Sequence, residues 1–285
     1  MALESELSTL GALLQDRTAK HGVVGAALAV GRGDEIFEAA TGLVNRNTGV
    51  EVTVDSVFQI GSITKLFTTT LIMQLVDEGS LELDAPVKRY LPEFQVADPK
   101  ATEEITPAHL LCHTSGIDGD FFQDTGCGDD CVERYVLACA ALPQLHPPGE
   151  MLSYCNAGFM IAGRIIEKLR GRPWHEVIGE RIFAPLGLFS MGTEAEQAIL
   201  HRAAVGHMGL GEEETQVVIP IWRLARSNAP AGATPFARAR DLIAFARLHL
   251  QGGKALDGTA ILSPESVRRM QERRVVLPEH ADADG

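Results

Sequence analysis

The chain has 285 residues, of which 45% are hydrophobic, enough to bury the core of one large domain or of two lobes that share a site. Its formal charge of −13 at pH 7 argues against a nucleic acid or an anionic membrane as partner, because both select Lys and Arg. We therefore expect a globular protein that acts on a neutral or mixed-charge small molecule.

The N-terminal segment MALESELSTLGALLQDRTAKHG predicts an amphipathic helix of the folded protein. Leucines recur in it at helical spacing, at Leu3, Leu7, Leu10 and Leu14. Glu4 and Glu6 stand where a secretory signal needs positive charge. No apolar run in the sequence reaches the length that spans a bilayer. We therefore expect neither an export signal nor a membrane anchor.

The five cysteines contain no CxxC pair, a pattern typical of reduced thiols in a cytoplasmic protein. Cys127 and Cys131 flank the stretch GDD, where a zinc half-site or a disulfide is an alternative. No second pair of His or Cys with metal-ligand spacing accompanies them. We expect neither a metal nor another cofactor.

The first half of the chain predicts a hairpin followed by helices. The runs 23–32 and 35–44, joined by a short Gly/Asp turn, predict a β-hairpin. A helix over 62–78 follows and ends at Gly79. A short helix begins at Thr106 and Pro107 and is stopped by Gly116.

The second half predicts mainly helices. A strongly apolar helix spans 156–171, and two later ones cover ARARDLIAFARLHLQGG and SPESVRRMQERR, the last with Ser263 as its N-cap. The predicted strands therefore lie near the N-terminus. Neither a repeat of fixed period nor a low-complexity linker divides the chain, so we treat residues 1–285 as a single domain.

Ser62 and Lys65, in the stretch GSITK, form an SxxK motif at the predicted start of a helix. Residues three apart lie on one helix face, which brings the lysine amine within reach of the hydroxyl. A serine hydroxyl becomes a good nucleophile only when a base takes its proton, and a helix N-terminus favours negative charge on an attacked carbonyl. The alternative is an ordinary serine N-cap beside a solvated lysine.

A second motif, YCN, places Tyr154 and Asn156 at the start of the second apolar helix. SxxK alone is a weak signal, but a YxN in the same order is much harder to obtain by chance. For Tyr154 the alternative is a half-buried tyrosine with a satisfied hydroxyl, and for Asn156 it is a helix N-cap.

SITK followed by YCN resembles the serine β-lactamase and penicillin-binding-protein superfamily, in its branch of class C β-lactamases, D-alanyl-D-alanine peptidases and family VIII carboxylesterases. The blocks FQIGSITKLFT, GSLELDAPVKRYLPEF, ITPAHLLCHTSGI and PPGEMLSYCNAGFMIAGRIIEKLRGRPW also resemble this branch. The resemblance covers about residues 20–275. It implies an α+β, β-lactamase-like fold, with a helical lobe beside an antiparallel sheet flanked by helices and Ser62 at their junction.

The resemblance also implies roles for four residues. Ser62 is the acylated nucleophile, and Tyr154 with Lys65 is the base system, in which the lysine cation makes the phenolate accessible. Asn156 binds Lys65 and the acyl-side carbonyl of the substrate.

Other residues are weaker candidates. His113 belongs to a block that serves as a scaffold turn in the resembling family, with a catalytic Ser-His pair as the alternative. His207 in GHMGLG is predicted as a loop residue, with a place in the lining of the cleft as the alternative. Trp222 is expected to pack in the core rather than to form a substrate wall. Cys155 is expected to be a small structural side chain, with oxidation near Lys65 as an alternative.

One feature departs from the resembling family. A third motif, KTG or HxG and related forms, is expected on a strand near the C-terminus, and nothing after Asn156 fits it. HTSG at 113–116 comes too early. We therefore expect C-terminal strands to be missing, and the sheet to have an open edge beside Ser62.

The favoured function is hydrolysis of small carboxylic esters through a serine acyl-enzyme. A β-lactam or D-alanyl-D-alanine substrate is the enzymatic alternative. A non-catalytic penicillin-binding-like scaffold or binding protein is the alternative of another class. A homo-oligomer is compatible with the sequence, and neither nucleic acid nor membrane is an expected partner.

Overall fold

The computed structural model describes residues 2–210 and 215–276. The chain forms two compact units. The first, called here the sheet unit, comprises Met1–Gly61, Leu186–Leu224 and Thr234–Leu250. The second, called here the helical unit, comprises Ser62–Pro185, Ala225–Ala233 and Gln251–Gly285.

The regular elements are as follows. The helices are α1 (Ala2–Lys20), α2 (Thr64–Asp77), α3 (Pro99–Glu104), α4 (Pro107–Leu111), α5 (Cys131–Ala138), α6 (Asn156–Arg170), α7 (Trp174–Ile178), α8 (Ala195–Ala198), α9 (Ala239–Leu250) and α10 (Pro264–Gln271). The strands are β1 (Gly25–Arg32), β2 (Glu35–Asn45), β3 (Val50–Glu51), β4 (Phe58–Gln59), β5 (His207–Leu210), β6 (Thr215–Val218) and β7 (Phe236–Ala237).

The sheet unit is built on the predicted hairpin. β1 and β2 pair antiparallel from Gly25 opposite Gly42 to Arg32 opposite Glu35, and β3 extends the sheet in the order β1-β2-β3. Helix α1 packs on β2 and α9 on β1. Arg247 on α9 donates to the carbonyl of Gly33 at 2.6 Å, which fixes the hairpin turn. Among the described residues β1 pairs with β2 alone, so β1 is an edge strand of this sheet.

The sheet unit also contains strands that the sequence pattern does not predict. β5 and β6 form a second antiparallel hairpin, and β4 pairs with β7. His207 begins β5, so its prediction as a loop residue was wrong. The error follows from the glycines of GHMGLG, which are typical of a turn, whereas long-range pairing decides such short strands.

The helical unit packs around α2 and α6, which contact each other. Helix α2 is buried on most of its sides. Its side chains Phe67, Leu71 and Ile72 are fully inaccessible to solvent. Gly163 on α6 lets another segment approach closely, because a Cβ built there would lie 2.4 Å from Cγ of Pro230. The 3-10 segment Arg226–Ala231, which carries Pro230, therefore packs directly against α6.

The helix ends confirm some predictions and correct others. Gly171 adopts the left-handed conformation that ends α6, and Ser263 caps α10 through its hydroxyl, both as predicted. Helix α4 ends at Leu111 rather than at Gly116. The reason is His113, whose φ of 57° cannot continue a right-handed helix.

No helix in residues 2–210 or 215–276 combines the length and the apolar character needed to cross a bilayer.

Candidate active site

Ser62 lies in a 3-10 turn, Gly61–Ile63, which leads directly into α2. The α-helix begins at Thr64, two residues later than predicted, and its N-cap position is Ile63. The interpretation of Ser62 as the helix N-cap is therefore wrong, because Ser62 precedes that position. Its side chain is exposed, and its hydroxyl oxygen lies 3.0 Å from Nζ of Lys65.

Lys65 lies in the first turn of α2 and is only 5% exposed. Its amine donates to Oγ of Ser62 at 3.0 Å, to Oδ1 of Asn156 at 2.8 Å and to the carbonyl oxygen of Ala231 at 2.7 Å. Three acceptors thus surround an ammonium group that has three N–H donors. The alternative of a solvated surface lysine is wrong, because Lys65 is buried. Hydrogen bonds to these acceptors compensate the cost of burying its charge.

The partners of Lys65 differ in what they can do with a hydrogen bond. The carbonyl oxygens of Asn156 and Ala231 only accept, so each holds one N–H of the amine. Oγ of Ser62 both donates and accepts. Ser62 is therefore the partner among these three that has a proton of its own to give up.

Tyr154 precedes α6 and stays half exposed, with 50% of its surface accessible. Nζ of Lys65 lies 4.9 Å from the centre of its ring. Burial raises the pKa of Tyr154, but hydrogen bonds to Lys65 and Ser62 and the charge of Lys65 outweigh it, so the pKa lies below its ordinary value. The phenolate is thus favoured by the same cation that touches Ser62.

Asn156 is the first residue of α6, and the N-cap position belongs to Cys155, whose buried thiol accepts from the N–H of Gly158. The N-cap interpretation of Asn156 is therefore wrong. Its side chain links two charged groups instead. Oδ1 accepts from Lys65, and Nδ2 donates to Oδ1 of Asp120 at 3.0 Å.

His113 contacts both Cys155 and Tyr154 in the segment that leads into α6. Nδ1 accepts from the backbone N–H of Cys155 at 3.0 Å, and the ring stacks on Tyr154 with a centroid distance of 4.3 Å. Burial and the charge of Lys65 lower the pKa of His113 to about 4. The imidazole is therefore neutral at pH 7, which Nδ1 requires to act as an acceptor.

The remaining candidates make other contacts or none that indicate a site. Nε1 of Trp222 donates to the carbonyl of Ala204, and its ring packs against Phe236, so core packing in the sheet unit is confirmed. Cys127 and Cys131 are both unpaired. In the part of the chain that the structure describes, no group of three or more His, Cys, Asp or Glu side chains is arranged to hold a metal ion.

The structure thus brings Ser62, Lys65, Tyr154 and Asn156 together, as the two motifs predict. It adds His113, Asp120 and the carbonyl of Ala231, which the motifs do not contain. A serine held against a buried lysine and a tyrosine, in a chain of helices and antiparallel strands, is typical of serine hydrolases that form an acyl-enzyme.

Comparison with known proteins identifies the family. A family model described as Beta-lactamase matches residues 10–282. The chain therefore belongs to the beta-lactamase family, shares its fold, and has serine hydrolases as relatives, including esterases, amidases and peptidases.

Individual relatives agree with this assignment. Penicillin-binding protein 4 from Amycolatopsis lactamdurans is 47% identical over 256 residues, which are 89% of this chain and 66% of that protein. Esterase EstB from Burkholderia gladioli is 29% identical over 198 residues, covering 64% of this chain and 50% of that protein. The crystal structure of SurE superposes with a TM-score of 0.78 at 30% identity, covering 94% of this chain and 59% of that one. The chain thus spans half to two thirds of the length of these relatives.

Proposed function

We propose that this chain is a serine hydrolase that forms an acyl-enzyme on Ser62 and acts on small carboxylic esters. The observation that carries the proposal is the amine of Lys65, held by the carbonyl oxygens of Asn156 and Ala231 and in contact with Oγ of Ser62. Similarity to esterase EstB supports an ester as the substrate.

In the first half of the reaction, Oγ of Ser62 attacks the ester carbonyl carbon while its proton passes to the Tyr154 and Lys65 pair. The tetrahedral intermediate then expels the alkoxide, which receives that proton and leaves as the alcohol. In the second half, water attacks the acyl-enzyme and its proton passes to the same pair. The acid then leaves, and Ser62 recovers its proton.

Asn156 holds Lys65 in place and offers a donor to the substrate. Its Nδ2 carries two protons, and one of them is taken by Asp120. The second proton is available for the acyl carbonyl of a bound ester.

The test compares hydrolysis of p-nitrophenyl butyrate by the wild-type chain and by Ser62→Ala. We expect wild-type turnover with a burst of p-nitrophenol when deacylation is slower than acylation, and only background release by Ser62→Ala. Thr64→Ala is a matched control, because Thr64 is buried on the same helix start and has no place in the reaction. Hydrolysis that persists in Ser62→Ala overturns the nucleophile assignment.

A second candidate substrate is a β-lactam or a peptide ending in D-alanyl-D-alanine, favoured by the 47% identity to penicillin-binding protein 4. Comparing kcat/KM for the butyrate ester, a chromogenic cephalosporin and such a peptide separates the two candidates. A binding or scaffold role predicts stoichiometric modification of Ser62 without turnover of any of them.

Cytoplasmic location, homo-oligomer formation and the single-domain assignment stay predictions from the sequence.

A further inference from the structure

Asp120 places a carboxylate next to the four motif residues. Its Oδ1 accepts from Nδ2 of Asn156 at 3.0 Å, and Oδ1 of the same Asn156 accepts from Lys65 at 2.8 Å. Lys65 in turn lies 3.0 Å from Oγ of Ser62. One lysine amine and one carboxamide therefore separate Asp120 from the serine hydroxyl.

The loop that carries Asp120 is fixed in position. The carbonyl of Gly119 accepts from the N–H of Ala157 at 3.0 Å, which ties the loop to the start of α6. A Cβ on Gly119 would lie 2.3 Å from Sγ of Cys155, so only glycine permits this approach. On the other side, the N–H of Asp118 donates to Pro143 at 2.9 Å. The Asp120 carboxylate is thus held in place before any ligand arrives.

Asp120 retains most of its capacity to accept hydrogen bonds. Its side chain is exposed, and within residues 2–210 and 215–276 no Lys, Arg or His forms an ion pair with it. The nearby cation, Lys65, already has three acceptors. A carboxylate has about four lone-pair positions, and Asn156 takes one of them.

The negative charge of Asp120 also disfavours the phenolate form of Tyr154. Burial and the charge of Asp120 raise the pKa of Tyr154, while hydrogen bonds to Lys65 and Ser62 lower it. A cation bound by Asp120 offsets this charge. Because the carboxylate is also exposed and gives only one of its lone pairs to Asn156, it suits a positively charged ligand group better than a neutral or anionic one.

We infer that Asp120 recognises a protonated amine carried by the acyl part of the substrate, so that the preferred substrates are esters or amides of amino acids with a free α-amino group. The inference rests on the proposed function, because it assumes that the acyl group is attached to Ser62. An α-ammonium is one carbon away from the attacked carbonyl, and Asn156, which we propose to bind that carbonyl, lies 3.0 Å from Oδ1 of Asp120. Asp120→Asn is the informative change, since it keeps an oxygen acceptor for Asn156 and removes the charge.

The first experiment compares phenylalanine methyl ester, as both enantiomers, with methyl 3-phenylpropanoate, which lacks only the amine. We expect wild type to prefer one amino ester. Asp120→Asn should lower kcat/KM for that ester by about 10- to 100-fold, the usual effect of a charge-assisted hydrogen bond, and change the other ester by less than about threefold. Asp118→Asn, which removes a charge from the same loop, should leave both unchanged. Equal losses on both esters in Asp120→Asn overturn the inference, because they mean that Asp120 only orients Asn156.

The second experiment does not depend on turnover. Ser62→Ala, which cannot be acylated, is titrated with phenylalaninamide and with 3-phenylpropanamide by calorimetry. At least tenfold tighter binding of the amine-bearing ligand, lost in Ser62→Ala with Asp120→Asn, supports the inference even if no ester is hydrolysed. Equal binding of the two ligands overturns it even if the proposed hydrolase activity is present.

Discussion

Replacing His113 tests how the tyrosine of the site is held. His113 has a left-handed backbone with φ of 57°, accepts from the N–H of Cys155 at 3.0 Å, and stacks on Tyr154. We predict that His113→Ala both destabilises the protein and slows acylation. His113→Asn should restore most of the stability and little of the rate.

The magnitudes follow from these contacts. His113→Ala leaves the buried Cys155 N–H without an acceptor, at a cost of about 1–3 kcal/mol, and loses a stacking contact of about 0.5–1.5 kcal/mol. We expect a loss of about 2–4 kcal/mol in the free energy of unfolding. Asparagine adopts the left-handed conformation readily, and its Oδ1 replaces Nδ1 as acceptor. His113→Asn should therefore lose only the stacking energy, with acylation slowed by about 2- to 10-fold.

The pH dependence of stability gives an independent check on His113. Burial and the charge of Lys65 lower its pKa to about 4, while an exposed histidine in the unfolded chain has a pKa of about 6.5. The unfolded state therefore binds a proton first as the pH falls. The contribution of His113 to stability is fully present above about pH 6.5 and is lost as the pH falls towards 4. His113→Asn should lose less stability than wild type over this interval.

Urea unfolding at pH 7 and pH 5 measures stability, and stopped-flow burst kinetics with the butyrate ester measure acylation. His113→Ala with wild-type stability would refute the role of the Cys155 contact. His113→Asn as unstable as His113→Ala would show that the acceptor geometry has been misassigned.

Three further substitutions test the rest of the site. Tyr154→Phe should slow acylation by about 10²- to 10⁴-fold, the usual contribution of a general base, while the melting temperature stays almost unchanged. Normal turnover in this variant would mean that Lys65 alone acts as the base. Lys65→Ala should be at least as harmful in the same assay, because it removes the cation that favours the Tyr154 phenolate, and activity near wild type would contradict this. Gly163→Ala should lower the free energy of unfolding by about 1–3 kcal/mol because its Cβ meets Pro230, whereas Gly179→Ala, with open space around it, should be nearly neutral in the same unfolding experiment.

The parts of the protein that follow from local pattern are predictable from the sequence. The β1–β2 hairpin follows from two β-rich runs and a short turn, and the end of α6 follows from Gly171. The contact between Ser62 and Lys65 follows from their spacing, although Ser62 lies in a 3-10 turn rather than in the helix.

Other parts depend on contacts between residues far apart in the chain. The carbonyl of Ala231 accepts from Lys65, and the residue before it, Pro230, packs closely on Gly163 of α6. His113 and Asp120 lie in irregular segments, where φ and packing rather than periodicity place a side chain. A histidine with positive φ carries no sequence signal, so the sequence indicates His113 only as a weak candidate and does not indicate Asp120 at all.

The most direct measurement of the central claim is the intact mass and peptide map of the chain after reaction with a fluorophosphonate probe. We expect one adduct per chain, located on the peptide containing GSITK, and none in Ser62→Ala. An adduct on any other serine, or unchanged labelling of Ser62→Ala, would contradict the assignment of Ser62 as the nucleophile.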